Sequence, residues 1–200
     1  MTNRKCLGIW CLVLVALCGC QDPPIPKPKG YFRVDMPLTS YAEYQHPCGP
    51  AFDVPVYAKI EKFLPQDERD ISCWFNCAFP PFHAKLHCTY VPIQSAEHFS
   101  QLVNEAHQMV FQHEQKASGI STQQFYFPEH SVSGLLFDLD GAVASPLQFF
   151  TTDSSEHFLR GSLYFSHVPN PDSLRPSLMH VRENVVQLIE TMTWTNNPKP

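Results

Sequence analysis

A chain of 200 residues that is 44% hydrophobic, 12% aromatic and 16% charged can bury a core of its own, which excludes a disordered or fibrous protein. The formal charge is −5, and loss of Arg4 and Lys5 with the leader described below leaves 12 Lys+Arg against 19 Asp+Glu, a charge of −7. That balance excludes nucleic acid or an anionic lipid surface as the main partner, because both require clustered cations.

The chain opens on a basic head, Met1 to Lys5, followed by an uncharged apolar run from Cys6 to Gly19. The run is short for a bilayer-spanning helix, which takes about twenty residues, and has the form of a secretory signal. Its end, Leu17-Cys18-Gly19-Cys20, resembles a bacterial lipobox. A nucleophilic sulfur is what accepts the diacylglycerol thioether, so Cys20 is the expected lipidation site. Residues 1–19 are then the signal peptide. Several acyl chains together hold a protein on a membrane stably, whereas one does so weakly. The next segment, 20–30, contains Asp22-Pro-Pro-Ile-Pro-Lys-Pro-Lys-Gly30 and reads as a stiff, extended tether. No run of acids follows Cys20, which favours a periplasm-facing position over display on the cell exterior.

Residues 31–195 read as one globular domain, with 196–200 a disordered tail. Phe52 to Ile60 alternates weakly and predicts a first strand. Ser72 to Phe79 and Phe82 to Val91 predict a hairpin about Pro80-Pro81. With Phe79 opposite Phe82, one face carries Cys73, Phe75, Cys77, Leu86, Cys88 and Tyr90, and period two predicts a half-buried antiparallel pair. Ser95 is placed to cap a helix running to about Ala117, with Gly119 as its stop. Three strands follow, at about Ser131 to Leu139, Pro146 to Thr152 and Phe158 to Ser166, with Asp140-Gly141 as turn chemistry between the first two. A last helix runs from Asp172 or Ser173 to about Met192. Leu174, Leu178, Val181, Val185, Leu188 and Met192 form its apolar stripe, with Pro176 expected in its first turn. No internal repeat is visible. The expected fold class is α+β: a mostly antiparallel sheet packed by two long helices, in an order of elements similar to the small PsbP-like and Mog1-like sandwiches. A fold-level likeness of that kind carries no chemistry.

Leu135-Leu-Phe-Asp138-Leu-Asp140-Gly141 looks like the first motif of haloacid-dehalogenase-type phosphatases, in which the first Asp attacks phosphorus, the second moves the proton and Mg²⁺ bridges carboxylates. That fold is a parallel sheet, and between Asp138 and the next strand there is no room for the crossover helix a parallel pair needs. A hairpin turn is the stronger reading. His83 and His87 lie about 13 Å apart on a strand, too far for one metal ion, and no metal is expected. Asp153, Ser154 and His157 share one polar turn without the glycine-rich elbow of a nucleophilic serine. Arg160, inside the apolar strand Phe158 to Phe165, needs a partner; Asp153 or Glu156 is the expected one, with binding a second role. Cys48, Cys73, Cys77 and Cys88 follow the leader, and an even number outside the cytoplasm suggests disulfides. In the hairpin register above, Cys73 faces Cys88, Cys77 is four residues out of step with Cys88, and Cys48 sits in a loop free to reach the hairpin.

Pro26-Lys-Pro-Lys-Gly-Tyr-Phe-Arg-Val34, Cys73-Trp-Phe-Asn76, Ala142-Val-Ala-Ser-Pro146 and the stretch Thr152-Asp-Ser154 with His157-Phe-Leu-Arg-Gly-Ser-Leu-Tyr-Phe165 are similar to the gliding-motility lipoprotein D family (GldD) of Bacteroidetes. Phe79-Pro80 and Met192-Thr-Trp194 fit as well, so the resemblance covers nearly the whole chain. It implies a lipid-anchored protein of the cell envelope, placed at the outer membrane facing the periplasm. It would support gliding and the associated type IX secretion machinery through protein partners and without catalysis. Relatives look like they lack the second acid of the phosphatase-like motif. They also look like they keep cysteine at the positions of Cys48 and Cys73, which implies a Cys48–Cys73 disulfide; Cys73–Cys88 with Cys48–Cys77 stays open. Candidate partner-binding residues are Tyr31, Phe32 and Arg33 in the entry segment, and Asp153, His157 and Arg160. The expected non-protein group is the covalent lipid on Cys20, with no cofactor. Two other functions are carried alongside: a Mg²⁺-dependent phosphohydrolase using Asp138 and Asp140, and a small-ligand-binding periplasmic module.

Overall fold

Alternation of apolar and polar residues builds most of the molecule. The computed structural model describes residues 36–63, 73–112, 116–166 and 171–194, all within the unit Arg33–Pro200. Three strands begin it: β1 (Tyr41–Gln45), β2 (Pro50–Pro55) and β3 (Lys59–Phe63). The hairpin β4 (Cys73–Phe79) and β5 (Ala84–Pro92) leads into α1 (Ala96–Phe111). A meander follows: β6 (Ala117–Phe127), β7 (Val132–Gly141), β8 (Leu147–Thr152) and β9 (His157–Phe165). The chain closes with α2 (Pro171–Glu190) and the short β10 (Thr193–Trp194).

Seven strands form one antiparallel sheet in the order β3-β4-β5-β9-β8-β7-β6, and β1-β2-β10 form a second, three-stranded one. The large sheet is therefore two meanders joined where β5 pairs with β9, and α1 carries the chain from that seam to the far edge. Its two faces bury different cores. Phe75, Leu86, Leu147, Phe149, Leu159 and Leu163 point to one side. There they meet Val181, Val185, Leu188 and Ile189 of α2 together with Phe52 and Val54 of β2. On the other side a smaller core joins Phe137, Leu139, Phe150 and Phe158 to Leu102, Ala106 and Val110 of α1.

Among the described residues the fold is thus α+β, with large antiparallel sheets and two helices, and several local expectations are corrected. The predicted strand from Phe52 to Ile60 is two strands in different sheets, broken by a turn in which Ala58 N–H donates to the Pro55 carbonyl. The hairpin register is shifted by two residues: Phe79 pairs with Ala84, Cys73 with Tyr90 and Phe75 with Cys88. The cause is the connection, a 3₁₀ turn at Pro80–Phe82 followed by His83 in the left-handed region. The β6–β7 hairpin uses the same device, Phe127-Pro128 leading to Ser131 at φ 52°. Ser95 does cap α1, its Oγ accepting from the N–H of His98 at 3.1 Å. The helix ends at Phe111, however, and Gly119 lies inside β6 rather than stopping a helix. Pro176 sits in the second turn of α2, not the first.

Candidate binding face

On the α1 side of the large sheet, the helix covers β8, β9 and the end of β7, and among the described residues it does not extend over β3, β4 and most of β5, where Trp74 is exposed and Asn76 is buried. Strand register lays polar side chains across this half in rows. One row runs Trp74, Thr89, Arg160, Phe150; the next runs Asn76, His87, Ser162, Gln148, Phe137. Trp74 is 49% exposed at one end. At the β3 end of the second row, Glu61 pairs in register with Asn76 and accepts from Lys85 Nζ at 2.8 Å and from Asn76 Nδ2 at 3.4 Å. The Lys85 hydrogen bond first, then that of Asn76, holds the Glu61 carboxyl below its usual range. The His87 imidazole is pushed down by burial and by the Lys85 charge, against the pull of Glu61.

Arg160 is at the centre of this face and lacks its expected ion pair. Asp153 and Glu156 do not reach it, and among the described residues no carboxylate pairs with it. Its Nη1 donates to Met109 Sδ at 3.1 Å, a weak acceptor. Burial lowers its pKa, opposed by the field of Glu105. Arg160, Met109, His87, Thr89, Ser162 and Tyr164 line an open cleft of ≈ 400 Å³ at the edge of α1. An adjoining pocket of ≈ 10 Å³ shares Arg160, Met109 and Ser162 with it and reaches Gln148. Gln148 is 4% exposed, and its Nε2 has no hydrogen-bond partner.

Asp153 and His157 are occupied elsewhere. Asp153 Oδ1 accepts the backbone N–H groups of Ser155, Glu156 and His157 at 3.0, 2.9 and 2.8 Å. Burial works to raise its pKa, and these backbone donors with the Ser155 hydroxyl outweigh it, leaving the carboxyl below its usual range. Thr152 Oγ1 donates to the His157 carbonyl at 2.7 Å and accepts from Ser154 N–H at 2.8 Å, fixing Ser154 at φ 65°. His157 points to the α2 side, away from Arg160. There its Nδ1 shares a 2.7 Å hydrogen bond with Tyr90 Oη, and its ring stacks on Trp194 with centroids 5.0 Å apart. Trp194 Nε1 donates in turn to the Ser131 carbonyl. The sequence grouping of Asp153, His157 and Arg160 is therefore divided between two faces.

The phosphatase-like motif is also taken apart. Asp138 and Asp140 lie on β7, whose neighbours are both antiparallel. Asp138 receives Nε and Nη2 of Arg182 from α2 at 2.7 and 2.9 Å, so both carboxylate oxygens serve a bidentate ion pair. That pair holds the Arg182 guanidinium more firmly charged. Among the described residues no group of three or more His, Cys, Asp and Glu is placed to hold a metal ion.

Cys48 and Cys73 are joined, with Cα atoms 6.3 Å apart. The link ties the β1–β2 loop to the start of β4, where Gly49 packs on the Tyr90 ring. Cys77 and Cys88 are buried free thiols, and burial pushes Cys77 up to about 12 and Cys88 well above its usual value. Cys20, Tyr31, Phe32 and Arg33 lie outside the described residues. Sequence reading gives Gln148, Ser162 and Thr89 no binding role, and weighs His87 as a metal ligand with His83 alone. The available signal was parity: in Phe158 to Phe165, Arg160, Ser162 and Tyr164 share a phase, so polar groups had to line one face.

The fold and these sites define a disulfide-bonded α+β domain with a polar sheet face that α1 covers in part. Residues 21–194 match the family model described as gliding motility lipoprotein GldD, and the chain belongs to that family. No curated protein matches the chain. Membership makes it a lipoprotein with a role in gliding motility and a lipid-anchored place in the cell envelope. The family is not a known enzyme family. Among the described residues no helix is long and apolar enough to cross a membrane.

Proposed function

We propose that the chain is anchored through acylated Cys20 to the outer membrane, faces the periplasm, and supports gliding and the associated type IX secretion machinery by binding its protein components without catalysing a reaction. The observation that carries this reading is the family match, which begins at Gln21, the residue after the proposed lipid attachment. The sequence that follows, Asp22-Pro-Pro-Ile-Pro-Lys-Pro-Lys-Gly30, has the composition of a stiff tether. The non-catalytic part is supported by where the reactive-looking groups are spent. Asp138 is clamped by Arg182, Asp153 by three backbone N–H groups, and His157 by Tyr90 and Trp194.

The test replaces Cys20 by Ala in the native organism and follows membrane fractionation and colony spreading together. The expected result is loss of the protein from the outer-membrane fraction and loss of spreading. Full spreading from a soluble periplasmic pool would overturn the anchoring. Asp138→Asn is expected to leave spreading intact; a Mg²⁺-dependent phosphatase activity in the purified chain, lost in that variant, would overturn the non-catalytic reading.

A further inference from the structure

Among the described residues, the Arg160 cleft presents donors that meet no oxygen acceptor of the protein. A guanidinium carries five N–H donors in a planar fork, and here the described contact is a thioether sulfur at 3.1 Å. Taking a cation partly out of water without a carboxylate or carbonyl costs free energy, so the arrangement needs a reason. The second observation lies next to it. Gln148 pairs in register with Ser162, is buried, and lines the small pocket that opens beside Arg160 with its Nε2 unpartnered. Thr89, directly across from Arg160, and Ser162 add two hydroxyls. Met109 and Tyr164, each 37% exposed, give the cleft an apolar wall.

Donors gathered around one uncommitted cation fit an anion, and the charge count selects which kind. Lys85 is held by Glu61, and Arg160 is the one Lys or Arg lining the cleft, in the field of Glu105, so the site offers at most a single positive charge from these groups. A doubly charged phosphate would remain under-neutralised, whereas a planar carboxylate matches both the charge and the fork of one guanidinium. We infer that this cleft binds the carboxylate of a small organic acid: Arg160 takes the oxyanion, Gln148 Nε2 and the Thr89 and Ser162 hydroxyls complete its hydrogen bonds, and the apolar body lies on Met109 and Tyr164. The cleft volume is that of a small-molecule site. The inference does not depend on where the lipid is attached or on the motility partners.

The experiment is a titration of the full chain, purified in non-ionic detergent, followed by the ¹⁵N-resolved Arg Nε–H and Gln side-chain amide resonances. The probes are N-acetylphenylalanine, its uncharged methylamide and inorganic phosphate. Saturable shifts of the Arg160 and Gln148 resonances with N-acetylphenylalanine, at a Kd in the millimolar range, are expected. The methylamide and phosphate should bind about tenfold more weakly or not at all. Arg160→Met should abolish the response, and Gln148→Leu should weaken it about threefold or more. No saturation with the carboxylate, equal binding of the methylamide or of phosphate, or an unchanged response in Arg160→Met would overturn the site. The probe comparison uses the unmodified chain, so the test stands even if a variant fails to fold.

Discussion

Gly161 and Gly134 occupy strand positions where a side chain has no room. A Cβ on Gly161 would come within 2.3 Å of the Phe149 ring, and one on Gly134 within 1.9 Å of the Phe150 carbonyl oxygen. The ring can shift, but the strand backbone cannot do so without breaking the β7–β8 ladder. Gly161→Ala should therefore cost about 1–3 kcal/mol in urea unfolding, and Gly134→Ala clearly more. Equal costs would show that Phe149 is held as rigidly as the sheet. Asp153 works by charge-assisted hydrogen bonding. Asp153→Ala should cost about 1–2 kcal/mol at neutral pH, reduced from the full value of three such bonds by the partial exposure of the turn. Because the folded-state pKa is below the unfolded one, this stabilisation is complete above the unfolded value and is lost as pH falls through the depressed one. The destabilisation caused by Asp153→Ala should accordingly shrink under acid conditions, and a cost that stayed constant down to that range would contradict the assignment.

At the scale of elements, the disulfide closes a separation of 25 residues and joins the β1–β2 loop of the small sheet to the start of β4 in the large one. The chain-entropy estimate for that loop is about 3.5 kcal/mol. Cys48→Ser with Cys73→Ser should lower stability by an amount of that order, seen as a drop in the urea midpoint with a somewhat steeper slope, because the unfolded chain without the link exposes more surface. Cys77 and Cys88 should resist iodoacetamide in the native protein at mildly alkaline pH and react in guanidinium, since the thiolate is the reactive form and burial suppresses it. Rapid native alkylation would mean that the β4–β5 face opens readily. These elements also show what the sequence could convey. β7, β8 and β9 were legible because their apolar residues alternate or run continuously, and α2 because its stripe repeats at helical spacing. β6 was not: Ser118 to Gln124 has almost no apolar phase, since the strand lies at a sheet edge with most side chains exposed. The hairpin register was misread because the Pro80–Phe82 turn and left-handed His83 absorb residues that a tight turn would leave in the ladder. Arg160 stood out as a charge in an apolar strand, but its surroundings depend on pairing with β5 and β8, which no local pattern encodes.

Across the whole molecule, the two faces of one sheet are stabilised unequally. The α2 side buries the larger cluster, to which the small sheet also contributes, while α1 contributes Leu102, Ala106 and Val110 to the smaller one. The same substitution on each helix reads out that asymmetry. Leu188 of α2 is 1% exposed and Leu102 of α1 is 8% exposed. Leu188→Ala should cost about 3–5 kcal/mol, and Leu102→Ala about 2 kcal/mol because the cavity adjoins solvent and can relax. The distinction should also be qualitative in native-state hydrogen exchange. Leu102→Ala should speed exchange across α1 while β5, β9 and β8 keep the protection of global unfolding, because a thin layer can detach as a unit. Leu188→Ala should lower protection everywhere, since α2 ties both sheets into one core. If the two variants lowered protection uniformly and alike, α1 would be an integral part of a single cooperative core, and the cleft beneath its edge would open only with the whole fold.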